Sequence, residues 1–81
     1  MNKENEIIKG TYSQIVKQVR GRALLSQEKF AAEIGICPAT LNRWEKGAKK
    51  PSFLSKQLLE SYCQKQGITI EVTEENGEKE H

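Results

Sequence analysis

Gly35 and Pro38, three positions apart, constrain this chain more than any other pair of residues. Before the glycine, Phe30, Ala31 and Ile34 recur at helical spacing behind Ser26, a good N-cap. Gln27-Glu28 put polar and acidic groups in the first turn, where the helix dipole favours negative charge. Gly35 ends that helix at a position that calls for positive φ. Pro38 suits the first position of a new helix, because its missing N–H has no intrahelical partner there. The chain must therefore turn between two short helices, with Ile36 packing as it does so. On the second helix Leu41 and Trp44 face inward, which leaves Pro38, Ala39, Asn42, Arg43 and Lys46 outward. Gly47 stops that helix, and Ala48-Lys49-Lys50-Pro51 follows as a short basic loop. The stretch from Ser26 to Lys50 thus presents one helix face amid positive charge.

The flanking segments read as its support. Residues 1–10 are polar apart from Ile7-Ile8 and form a flexible N-terminal arm ending in a glycine. Thr11 offers an N-cap that Gln14 completes as a capping box. Tyr12, Ile15, Val16, Val19 and Ala23 then make the apolar stripe of a first helix, slackened near Gly21. Pro51-Ser52 opens a fourth helix whose stripe is Leu54, Leu58, Leu59 and Tyr62, with Cys63 packing beside it and Gly67 ending it. Short linkers between such helices predict an all-α fold: a small bundle of four helices, with a fifth left open, over residues 11–67. Beyond it Ile68-Thr69-Ile70-Glu71-Val72 alternates as a half-buried strand does. A lone strand does not stand by itself. Three fates are open to it: pairing with another chain, pairing with the Ile7-Ile8 region, or no structure. Thr73 to His81 is acidic and free of apolar residues, the composition of a disordered tail.

Composition narrows the function. A chain of 81 residues holds one small domain, and no separate catalytic domain fits beside it. No run approaches the roughly 20 apolar residues of a membrane span, and the polar start MNKENEIIKG lacks a signal-peptide core, so a cytoplasmic protein is expected. Cys37, Cys63 and a single terminal His81 form neither a metal constellation nor a disulfide framework. No base stands near either thiol in the sequence, so no enzyme, cofactor or metal is expected. The net charge of +2 hides a division. Residues 1–66 carry 12 Lys/Arg against 6 Asp/Glu, whereas residues 67–81 carry 1 Lys against 5 Glu. The body is basic enough to approach a polyanion, and the tail is acidic.

Taken in register, Leu25-Ser26-Gln27-Glu28, Phe30-Ala31, Ile34-Gly35, Thr40-Leu41 and Arg43-Trp44-Glu45-Lys46-Gly47 through Lys50-Pro51-Ser52 resemble the helix-turn-helix domains of the lambdoid phage repressor and Cro (Xre-type) family. With Arg20 on the first helix, the resemblance covers about residues 11–66. It implies a lambda-repressor-like DNA-binding fold in which Pro38–Lys46 enters the major groove. Pro38, Ala39, Asn42 and Arg43 would then contact bases. Arg43 leads, since a guanidinium can bond guanine O6 and N7 together. The resemblance gives Gln27 a phosphate contact at a helix N-terminus, where free N–H groups attract anions, and a part in orienting a recognition-helix side chain. Lys46, Lys49 and Lys50 become phosphate contacts, which add affinity and salt dependence without specifying bases; Thr40 joins them, adds to base readout, or folds back onto its own helix. Arg20 and Glu45 match a structural ion pair between the first and recognition helices, and Trp44 beside them seats the helix on the core. Two departures stand out. Pro38 and Ala39 offer only apolar contact, such as with a thymine methyl, where many relatives carry longer polar side chains. Cys37 takes the N-cap position, where Ser or Thr is usual; it reads as a half-buried packing residue or as a redox-responsive thiol.

The expected function is sequence-selective binding of double-stranded DNA by a transcriptional regulator, a repressor, acting as a homodimer on an inverted-repeat operator. The Ile68–Val72 strand or the fourth helix would supply the dimer contact. Two alternatives stay open. One is an antitoxin-type autorepressor whose C-terminal segment binds a partner protein by β-addition. The other is a protein-interaction module without DNA binding.

Overall fold

A computed structural model describes residues 6–73; the first five residues and residues 74–81, which hold most of the expected tail, lie outside the described residues. The order of elements is β1 (Glu6–Gly10), α1 (Tyr12–Ala23), α2 (Gln27–Ile34), α3 (Pro38–Lys46), α4 (Phe53–Lys65) and β2 (Ile68–Val72). Each helix starts where local chemistry directs. Thr11 Oγ1 accepts from the Gln14 N–H at 3.2 Å, and Gln14 Oε1 accepts from the Thr11 N–H at 3.0 Å, closing the capping box of α1. Ser26 Oγ accepts from Lys29 N at 3.1 Å, and Ser52 Oγ from Ser55 N at 3.2 Å. Gly35 ends α2 with φ 99°, and Pro38 opens α3.

The core gathers Ile15, Val16 and Val19 of α1, Phe30, Ala31 and Ile34 of α2, Leu41 and Trp44 of α3, and Leu59, Tyr62 and Cys63 of α4. Phe30 and Tyr62 meet edge to face with ring centroids 5.3 Å apart, which ties α2 to α4. Two helix details depart from expectation. The chain does not slacken at Gly21; α1 continues to Ala23 and is capped by Leu24 in the left-handed region, at φ 58°. Leu54, assigned to the stripe of α4, is 65% exposed beside Phe53 at 75%. Packing on α4 begins one turn later, at Leu58 and Leu59, because nothing among the described residues covers the first turn.

The N-terminal segment is the main correction. Glu6–Gly10, expected within a flexible arm, is a strand that pairs in parallel with β2, in register from Glu6↔Ile68 to Gly10↔Val72. Pairing with the Ile7-Ile8 region is thus the fate of Ile68–Val72, and all four helices form the crossover between the two strands. The fold is four helices plus a short two-stranded parallel sheet, mostly helical and broadly consistent with the all-α expectation, with no fifth helix among the described residues. A two-stranded sheet has little stability alone. This one is held because Ile8 and Ile68 are buried in the common core, and Ile70 and Val72 pack against its margin. The pair Lys9–Glu71 (3.8 Å) lies across its strands and Arg22–Glu6 (2.8 Å) joins α1 to β1; both are exposed and add little. Gly10 makes the junction with α1 feasible: its φ is 145°, and a Cβ there would stand 2.5 Å from the Gln14 Oε1 that caps the helix. Among the described residues no helix is long and apolar enough to cross a membrane.

Candidate nucleic-acid interface

The site is built on α3. Its inner face buries Leu41 and Trp44 completely or nearly so, and its outer face exposes Pro38, Ala39, Arg43 and Lys46 with Asn42 and Thr40 half-buried at the sides. Gly47, at φ 77°, ends the helix; the N–H of Gly47 reaches the Trp44 carbonyl at 3.0 Å, and that of Ala48 the Arg43 carbonyl at 2.9 Å. The chain then enters the exposed basic loop of Lys49 and Lys50. Lys46, Lys49 and Lys50 form no ion pair with any described residue, so three cations stand solvated along one flank of α3.

A polar cluster sets the angle of α3. The Glu45 carboxylate, 7% exposed, accepts from Arg20 Nε at 2.7 Å and from Arg20 Nη2 at 3.0 Å, a two-point contact between α1 and α3. Gln27 Nε2, at the start of α2, donates to the same carboxylate at 3.0 Å. Arg20 Nη1 donates to the Leu25 carbonyl at 3.1 Å, so one guanidinium also holds the α1–α2 turn. Burial pushes the Glu45 pKa up, but the bonds from Arg20 and Gln27, with the charges of Arg20 and Lys17, prevail and hold it below its ordinary value. The Ser13 hydroxyl adds a bond absent from the sequence reading, donating to the Glu45 backbone carbonyl at 2.6 Å. No local pattern could signal it, since Ser13 and Glu45 meet only when α1 packs on α3.

The structure therefore brings together Arg20, Glu45 and Gln27, and separately Arg43 with Pro38, Ala39 and Asn42 on one outward face. Gln27 is half-buried and turned toward Glu45, the orienting part of its two expected roles. Cys37 is exposed rather than half-buried, and its side chain makes no capping bond to α3. Cys63 is buried, and burial, with the Glu60 charge adding to it, pushes its thiol up to about 11. Among the described residues no group of His, Cys, Asp or Glu could hold a metal ion.

Two short helices joined at a left-handed glycine, the second offering an open face beside a basic loop, define a helix-turn-helix module. The helix-turn-helix family model matches residues 16–66. The chain belongs to this Xre/lambda repressor-like helix-turn-helix family, whose members are DNA-binding transcription regulators. No curated protein and no solved structure matches the chain.

Proposed function

We propose that this protein is a repressor that binds double-stranded DNA sequence-selectively as a homodimer, with α3 in the major groove. The observation that carries the reading is the outward face of α3, where Arg43 is exposed among small neighbours while the opposite side of the helix is locked by Glu45 and Trp44. Arg43 reads a guanine; Asn42 adds a polar contact; Pro38 and Ala39 lie against apolar base edges. Lys46, Lys49, Lys50 and Thr40, with the N-terminus of α2 at Gln27, take phosphates. The grip is mainly electrostatic, and selectivity rests on Arg43 and on the spacing of two half-sites.

The fourth helix supports the dimer better than β2 does. β2 already has β1 as a partner, whereas Phe53 and Leu54 stand exposed side by side at the start of α4, next to the basic loop. The antitoxin alternative relied on an unpaired strand; with β1 on one edge of β2, a partner strand would have to add to the remaining edge of the two-stranded sheet. Selection of random duplexes tests the reading. Arg43→Ala costs about 1–3 kcal/mol and relaxes one base position, while Lys49→Ala/Lys50→Ala weakens all sequences and flattens the salt dependence by about two ions. If no motif is enriched and Arg43→Ala changes nothing, the chain is not a specific regulator. Phe53→Ser/Leu54→Ser leaves the domain folded and monomeric by light scattering; an unchanged dimer moves the contact elsewhere.

A further inference from the structure

Trp44 is 1% exposed, and its Nε1–H is the one buried side-chain polar atom, among the described residues, without a hydrogen-bond partner. Such an orphan donor is costly, and native structures seldom leave one without a reason. Trp44 lines a cleft of about 250 Å³ whose other walls include Thr11 and Ser13 at the start of α1 and Lys49 and Lys50 of the basic loop. Several features there favour an anion. The two lysines are exposed and unpaired, and because Nε1 is closed to solvent in this structure, an anion reaches it only as the side chains around the cleft move aside. Thr11 Oγ1 accepts from Gln14 N, which leaves its own proton to donate. The twelve-residue α1 directs the positive end of its dipole toward the same cleft. No carboxylate lines it.

We infer that this cleft receives one phosphate of the DNA backbone, with Trp44 Nε1–H donating to a phosphate oxygen and Lys49, Lys50 and Thr11 completing the site. The inference rests on the DNA-binding reading above and adds to it a contact from a core residue and one from α1. Through it, phosphate binding is coupled to the seating of α3, because the indole that holds the phosphate also packs the recognition helix on the core. Trp44 is thus a clamp that reports whether the helix is correctly docked.

The chain holds a single tryptophan, so one indole N–H resonance reports the site directly. Duplex DNA added to the ¹⁵N-labelled full chain moves that resonance downfield and saturably, together with the Asn42 and Arg43 amides. Inorganic phosphate alone moves it in the same direction at far higher concentration. Trp44→Phe, which keeps the ring and removes the donor, lowers affinity for every duplex by about tenfold without changing base preference. A stationary indole resonance while the α3 amides shift overturns the inference and leaves the DNA-binding reading intact. An indole that answers inorganic phosphate but not duplex assigns the cleft to free anions and overturns it as well. If duplex shifts nothing, both readings fail together.

Discussion

Replacing Glu45 by alanine removes the carboxylate on which α1, α2 and α3 converge. The substitution leaves the Arg20 guanidinium and the Gln27 amide without their acceptor. Breaking a buried ion pair from one side costs about 3–5 kcal/mol. Arg20 keeps 27% of its side-chain exposure and can partly rehydrate, so the expected loss is about 2–3 kcal/mol. A domain of this size has a total stability of about 4–12 kcal/mol, so the loss is a large share of it. Urea unfolding followed by Trp44 fluorescence measures the change; with a slope near 1 kcal/mol/M the midpoint falls by about 2–3 M. Arg20→Met/Glu45→Leu, which replaces the pair with apolar bulk, recovers most of the stability. The pH dependence follows from the same contacts. Because the folded Glu45 pKa lies below the ordinary 4.5, its contribution is present above that value and is lost as the pH falls through the folded value. The gap between wild type and Glu45→Gln therefore closes on acidification below 4.5. A loss under about 1 kcal/mol for Glu45→Ala, or a double variant as weak as the two single losses added, refutes the claim that this cluster holds α3.

Two further substitutions probe the parts of the fold that flank the site. Ile8→Ala, in β1, costs about 2–4 kcal/mol if the strand is core, and urea unfolding distinguishes this from the loss under about 0.5 kcal/mol expected of a mobile arm. Leu24 caps α1 at φ 58° while its side chain is almost wholly exposed, so Leu24→Asn relieves the left-handed backbone and raises stability by about 0.5–1 kcal/mol; a decrease shows that the leucine has a packing role.

What the sequence made legible was local. The capping residues Thr11, Ser26 and Ser52, the left-handed Gly35 and the N1 proline each act within four residues, so their effects survive any tertiary context. The helical stripes identified the core, but periodicity could not tell which turn of a stripe would be covered, and Leu54 failed for that reason. β1 was hidden because it has only two adjacent apolar residues between Glu6 and Lys9, and its pairing depends on a strand beyond four helices. The half-strand pattern of Ile68–Val72 was readable; the identity of its partner was not.

The site divides along the same line. Family resemblance named Arg20 and Glu45, and their meeting is a matter of how α1 crosses α3, which the resemblance carries and composition does not. Yet every side-chain hydrogen bond that α3 accepts from the rest of the described fold falls on Glu45, in its last turn. The first turn has no such tie: Cys37 supplies no capping bond, and Pro38 and Ala39 are exposed. Leu41 alone anchors the N-terminal half by packing. Helix α3 is thus fixed in direction at its C-terminal end and least tethered at the end with the small apolar residues. A serine or threonine at position 37 would tighten that end by about 1 kcal/mol of capping. Cysteine there, with proline and alanine after it, leaves the first turn of α3 without a side-chain cap and dependent on the packing of Leu41.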